Sequence, residues 1–174
     1  MRIELVPPDP AWPERFAAEA ARIRAALGPL ALRIDHVGST SIPGLAAKPV
    51  VDIQISVRTV LPMAPYLAPL ERLGYRYVPY PDEDGVDRYP FFGRPPERPR
   101  AFHVHVCETG GYGERRTLAF RDWLRAHPED AVAYEALKRD LARREWDDPN
   151  DYAEAKDPFV LSVLDRALGT DAGG

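Results

Sequence analysis

Phe16, Ala20, Ile23 and Leu27 recur at helical spacing just after Pro13, while Glu14, Arg15, Glu19 and Arg22 take the opposite positions. An amphipathic helix is predicted there, stopped by Gly28-Pro29. Leu32 to Val37 reads as a strand that runs into four small polar residues, Gly38-Ser39-Thr40-Ser41. Val50 to Val57 is dense in β-branched residues and reads as a second strand, with Asp52 and Gln54 on one of its faces. A helix over Leu61 to Leu73 is kinked or shortened by Pro65 and Pro69 and closed by Gly74; Tyr75 to Val78 starts another strand. Arg88 to Phe92 and Ala101 to Cys107 read as two antiparallel strands joined by a Pro- and Arg-rich stretch. After Gly110-Gly111 the period lengthens. Phe120, Trp123 and Leu124 mark one helix, and Pro128 opens another that buries Tyr134, Leu137 and Leu141. A last helix follows Asn150-Asp151, is interrupted or restarted at Asp157-Pro158 and turns Phe159, Val163 and Leu164 inward.

This order, strands first and helices last, implies an α+β layer architecture: a mixed sheet with flanking helices and a C-terminal helical segment. A single domain is expected over 1–168, with 169–174 as a flexible tail. A net charge of -4 gives no overall attraction to phosphate backbones or anionic lipid, so neither nucleic acid nor a membrane is an expected partner. No apolar run approaches the roughly 20 residues of a spanning helix. The lone cysteine, Cys107, and an N-terminus without an apolar signal core point to the cytoplasm.

The chemistry gathers around the polar turn. Backbone N–H groups of Gly38 and Ser39 can approach phosphate oxygens closely, the Ser39 and Thr40 hydroxyls add donors, and Lys48 offers a positive charge. Asp52 can hold a divalent metal that bridges phosphate oxygens. His103 and His105 are two apart on a predicted strand and share a face. If that strand lies beside the Asp52 strand, Asp52, Gln54, His103 and His105 form one cluster, suited to Mn²⁺, Zn²⁺ or Fe²⁺ more than to Mg²⁺. Each residue also has a structural reading. The turn is then only a turn, Asp52 pairs with Lys48 or an arginine, and the histidines are hydrogen-bonded sheet residues or direct phosphate contacts. His36 either faces the site or is structural, Arg88 and Arg100 either reach an anionic ligand or are surface charges, and Arg115, Arg116 and Arg121 form a solvated helix face. Trp123 reads as core, His127 as a helix boundary and Cys107 as a buried strand residue.

Twelve residues separate Ser39 from Asp52. A Gly-Ser turn followed at this distance by an acidic residue in an apolar strand resembles the signature of nucleotidyltransferases of the DNA polymerase beta superfamily. The longer string from His36 to Ile53 is similar to the GrpB family of bacterial proteins. Asp9-Pro10-Ala11-Trp12-Pro13, Phe102-His103-Val104-His105-Val106 and Phe120-Arg121-Asp122-Trp123-Leu124-Arg125 extend the resemblance over most of the chain. It implies a nucleotidyltransferase fold and no established substrate; the reading of the residues gives the expectation of a nucleoside triphosphate as substrate, a divalent metal (Mg, Mn or Zn) and an unassigned small-molecule or protein acceptor. The expected roles are Gly38, Ser39, Thr40 and Lys48 on the nucleotide, Asp52, His103 and His105 on the metal, and Asp52 and His105 in catalysis. The superfamily pattern has a second acidic residue two positions after the first, where this chain has Gln54, which puts two-metal catalysis in doubt. Two alternatives stay open: a noncatalytic nucleotide- or metal-binding protein of the same fold, and a metal-dependent phosphoesterase built on His103 and His105. A histidine-triad hydrolase is disfavoured because Cys107 stands where the third histidine would be.

Overall fold

A computed structural model describes residues 2–169. Its elements are α1 (Trp12–Leu27), β1 (Arg33–Val37), β2 (Val51–Val57), α2 (Ala64–Arg72), β3 (Arg76–Val78), β4 (Phe91–Arg94) and β5 (Phe102–Glu108). Four helices follow: α3 (Tyr112–Ala126), α4 (Pro128–Ala142), α5 (Pro149–Glu154) and α6 (Asp157–Leu168). Of the tail expected over 169–174, all but Gly169 lies outside the described residues. Among the described residues no helix is long and apolar enough to cross a membrane.

The five strands form one mixed sheet in the order β1-β2-β5-β4-β3, parallel only between β2 and β5. The parallel pair is possible because α2 and the β3-β4 hairpin lie between its strands in sequence and give the chain length to cross over. Alternation along the strands divides the side chains. Ile53, Ile55, Val104, Val106 and Phe92 pack with Ile23 and Leu27 of α1 and Tyr66 and Leu70 of α2 in the main core. The other face carries Asp52, Gln54, His103 and His105 and is met by α3, which touches β1 and β5. Two smaller apolar clusters fasten the C-terminal helices: Ile42 and Leu45 against Leu124 and Tyr134, and Ile3 against Leu141 and Tyr152.

Several expectations shift. The strand expected at Arg88 to Phe92 lies at Phe91–Arg94, because Arg88 turns back to pair with Asp82 and Asp84 while Arg94 pairs with Phe102. Asp157-Pro158 does restart the helix, so four helices close the chain where three were expected. Glu19, expected on the polar side of α1, is only 3% exposed. It accepts hydrogen bonds from Tyr75, Arg22 and Arg94, which satisfy a carboxylate that burial alone would penalise. Arg121 is likewise no solvated helix charge: its side chain is 13% exposed and reaches Asp35 and the His36 carbonyl.

Candidate functional site

Gly38 follows β1 at φ 70°, a conformation that favours glycine. Its neighbours Ser39–Ser41 form a single tight turn, in which the Ser41 amide and hydroxyl both donate to the Gly38 carbonyl, at 3.1 and 2.6 Å. Two arginines of α3 brace that turn from outside, Arg121 on the His36 carbonyl and Arg125 on the Ser41 carbonyl. Beneath it lies Asp52. A Cβ built on Gly38 would stand 2.5 Å from Asp52 Oδ2, so the turn and the carboxylate occupy contacting positions that only glycine permits.

The β2-β5 register places Asp52 opposite His103 and Gln54 opposite His105. Both imidazoles bond the same carboxylate oxygen: His103 Nδ1 and His105 Nε2 each lie 3.3 Å from Asp52 Oδ1. Burial pushes the Asp52 carboxyl up, but the hydrogen bonds from His103 and His105 outweigh it and hold the group below the ordinary carboxylate range. Asp52 therefore stays ionised at neutral pH. Its partners are histidines, not Lys48 or an arginine.

Of the remaining residues singled out in the sequence, Ser39 lies beside Tyr134, whose hydroxyl is pushed up by burial and eased by a hydrogen bond with Ser39. Thr40 is buried with its hydroxyl 2.8 Å from His36 Nε2. His36 belongs to the opposite face of β1, where it stacks on Phe16 at 4.8 Å. Burial lowers it to about 4, so it is neutral and structural. Lys48 sits over the Tyr152 ring, 4.6 Å from its centroid. Cys107 is buried with its thiol pushed up to about 11 by burial, which removes it as a nucleophile. Trp123 donates to Asp130 and His127 stacks on Trp123 at the α3-α4 junction, both structural.

The sequence did not single out Lys156, Arg125 or Lys138. Lys156 stands between α5 and α6 over the same Tyr152 ring as Lys48. Lys138 and Glu135 of α4 grip the Ala46 peptide on its carbonyl and its amide, which fixes the loop that delivers Lys48. Only a lysine buried on a helix face, at 2% exposure, hints at that role.

Burial pushes the Lys138 ammonium down to about 7, and the charge of Lys156 adds to it. Between about pH 7 and the ordinary lysine range the unfolded chain holds a proton that native Lys138 has released, so stability rises with pH across that window. Lys156, lowered to about 8 first by burial and then by Lys48, acts in the same direction. Urea denaturation at about pH 7 and about pH 9 should find the native chain more stable at the higher pH, with a shallower rise in Lys138→Met. An equal rise in the variant would remove Lys138 as its source.

A metal must be weighed against this geometry. One carboxylate and two imidazoles suit a single borderline ion by donor type. As placed, however, both imidazole nitrogens are aimed at Asp52 Oδ1, and Gly38 covers Oδ2. Among the described residues no group of three or more His, Cys, Asp or Glu is disposed to hold a metal ion. Gln54 is 2% exposed, and its buried amide nitrogen, a donor with no partner, cannot replace a second carboxylate. The residues do not fit a two-metal centre. An open groove of about 870 Å³ lies beside the turn and not at Asp52; Ile42, Leu45, Leu124 and Val132 line it.

Comparison with known proteins places these residues in a wider set. A family model described as GrpB protein matches residues 2–166. A UPF0157 protein of Pseudomonas aeruginosa is 46% identical over 169 residues, covering 96% of this chain and 68% of the relative. Another from Halalkalibacterium halodurans is 40% identical, covering 97% of this chain and 84% of the relative. A protein of Mycolicibacterium paratuberculosis named dephospho-CoA kinase is 36% identical over 188 residues, and the match spans 95% of this chain but 46% of that protein. The crystal structure of the conserved protein GrpB from Enterococcus faecalis superposes with a TM-score of 0.81 at 34% identity, covering 95% of this chain and 97% of that one.

Proposed function

The chain belongs to the GrpB family, and from that premise we propose that it is a nucleotide-binding protein of the nucleotidyltransferase type, holding phosphate at the Gly38-Ser39 turn and Lys48 beside Asp52. The observation that carries this reading is the contact between turn and carboxylate, where a methyl group on Gly38 would meet Asp52 Oδ2 at 2.5 Å. It brings the amides of a small-residue turn and an ionised carboxylate to one point, which is what a phosphate and an attacking acceptor require. In the transfer reaction an acceptor oxygen bonds to the α-phosphorus while the bond to the pyrophosphate oxygen breaks and pyrophosphate leaves with the electron pair. His105, the more exposed imidazole, keeps Nε2 turned to Asp52 and takes the acceptor proton on its other ring nitrogen.

Gln54 favours a second reading, in which the protein binds a nucleotide without turning it over. A thermal-shift panel of nucleoside mono-, di- and triphosphates separates binding from its absence. Dephospho-CoA belongs in that panel because longer mycobacterial relatives carry its name in theirs. Each ligand is tested alone and with Mg²⁺, Mn²⁺ or Zn²⁺, and the metal arms test Asp52, His103 and His105 as ligands of one ion. At saturating ligand the expected rise in Tm is roughly 5 °C or more, reduced in Asp52→Ala. Silence across the whole panel would overturn nucleotide binding. Label passing from an α-labelled triphosphate to an acceptor, lost in His105→Ala, selects the enzyme; binding with no transfer selects the noncatalytic reading.

A further inference from the structure

Lys48, from the loop before β2, and Lys156, from between α5 and α6, meet at one ring. The Nζ of each stands 4.6 Å from the Tyr152 centroid, and Tyr152 is itself 1% exposed. Among the described residues neither lysine has a hydrogen bond or an ion pair to a carboxylate. The carboxylate whose charge favours both ammonium groups is Asp52, and its Oδ1 is already engaged by His103 and His105.

Two arginines add to the excess. Arg98 acts on Lys48 as a like charge, and Arg100 lies against Gly93, with its guanidinium 5.8 Å from the Phe91 ring centroid and its Nε buried without a partner. Phe91 in turn packs edge-on against His103. The positive side chains thus border the face that holds Asp52.

Asp157 also favours the Lys156 ammonium, but partly buried cations that no carboxylate engages directly are costly unless something of opposite charge completes them. Cation-π contact with Tyr152 offsets part of that cost and fixes where the ammonium groups stand. What is missing is a compact anion bearing more than one negative charge and many acceptor oxygens, which describes a phosphate or a pyrophosphate. In two-metal transferases bound ions neutralise the phosphate chain; here Gln54 stands at the second carboxylate position and lysines stand nearby.

We propose that Lys48 and Lys156, set against Tyr152, form a phosphate clamp that works without a divalent metal and takes the pyrophosphate end of the nucleotide held at Gly38-Ser39. The clamp rests on the nucleotide-binding reading and deepens it. It assigns Lys156 and Tyr152 to the site and replaces metal charge with ammonium charge.

Isothermal titration of inorganic pyrophosphate and of ADP into the full chain, in EDTA and again in Mg²⁺, tests it. Binding is expected in EDTA, with affinity falling as salt rises. Lys156→Met, which keeps the apolar stem on Tyr152, should weaken both ligands roughly tenfold or more, the loss of one charge-assisted contact. Lys156→Arg should bind more tightly than Lys156→Met because it keeps the charge. Lys48→Met, located on a different segment, gives a second and independent measurement if Lys156→Met loses its far-UV circular dichroism. Binding only in Mg²⁺, or equal affinity in the methionine variants and the native chain, overturns the clamp and leaves nucleotide binding standing. No binding of any nucleotide in any condition overturns both.

Discussion

Gly38→Ala is expected to lose roughly 2–5 kcal/mol of stability and, in whatever fraction still folds, all nucleotide-dependent thermal shift. Two costs combine. An L-residue at φ 70° is strained by about 1–2 kcal/mol. The new Cβ would also lie 2.5 Å from Asp52 Oδ2, 2.9 Å from its Cβ and 3.0 Å from its Cγ, an overpacking worth about 1–3 kcal/mol. Rotation of the carboxylate relieves little, because Asp52 Cβ is itself in the way and Oδ1 is held by two imidazoles. Urea titration measures the loss, and the double variant with Asp52→Gly measures the coupling by removing the atoms that collide. Ser39→Ala, by contrast, removes one hydrogen bond to Tyr134 and should cost only about 0.5–1.5 kcal/mol. Gly38→Ala within that same margin would mean that the turn is not built against Asp52.

The two halves of this contact differ in how plainly the sequence announces them. A glycine ahead of small polar residues, and an aspartate inside an apolar β-branched run, stand out because each breaks its local pattern. Their adjacency follows from β1 and β2 being consecutive strands that pair antiparallel as sheet neighbours. The shared face of His103 and His105 follows from the two-residue period of a strand. That they face Asp52 depends on β5 slotting in parallel beside β2, a long-range pairing that no local spacing encodes.

Lys156 is the opposite case. It lies between two short helices, where nothing separates it from a solvated charge until the fold carries it to Lys48. His36 misleads in another way, since it adjoins the Gly-Ser turn yet alternation sends it to the far face, against Phe16. Proximity along the chain and proximity at the site are separate properties in a sheet. Glu19 obeys the helical period on paper, and only tertiary contact with Arg94 and Tyr75 explains why a carboxylate occupies a buried position.

That buried carboxylate carries the largest expected effect on stability. Glu19→Ala should cost about 3–5 kcal/mol, the usual loss when one partner of a buried charge pair is removed. Glu19 Oε2 accepts from Arg94 Nη2 at 2.7 Å and Oε1 from the Tyr75 hydroxyl at 2.9 Å, so α1 is tied to β4 and to the segment before β3 through one side chain. Without it the Arg94 guanidinium, held over Phe102 at 4.6 Å with Nε already unpartnered, keeps a charge that water reaches only in part. Glu19→Gln should lose less, since the amide oxygen still accepts from Tyr75. A paired change, Glu19→Leu with Arg94→Met, should recover most of the loss, because it removes both charges and leaves apolar volume. Urea denaturation gives these values. The paired variant also separates fold from site, because α1 packs on the face of the sheet away from Asp52 and the clamp lysines. Affinity for pyrophosphate should be unchanged in that variant while its stability differs from that of either single substitution. A recovery absent from the paired variant would show that Glu19 acts through Tyr75 and Arg22 and not through Arg94.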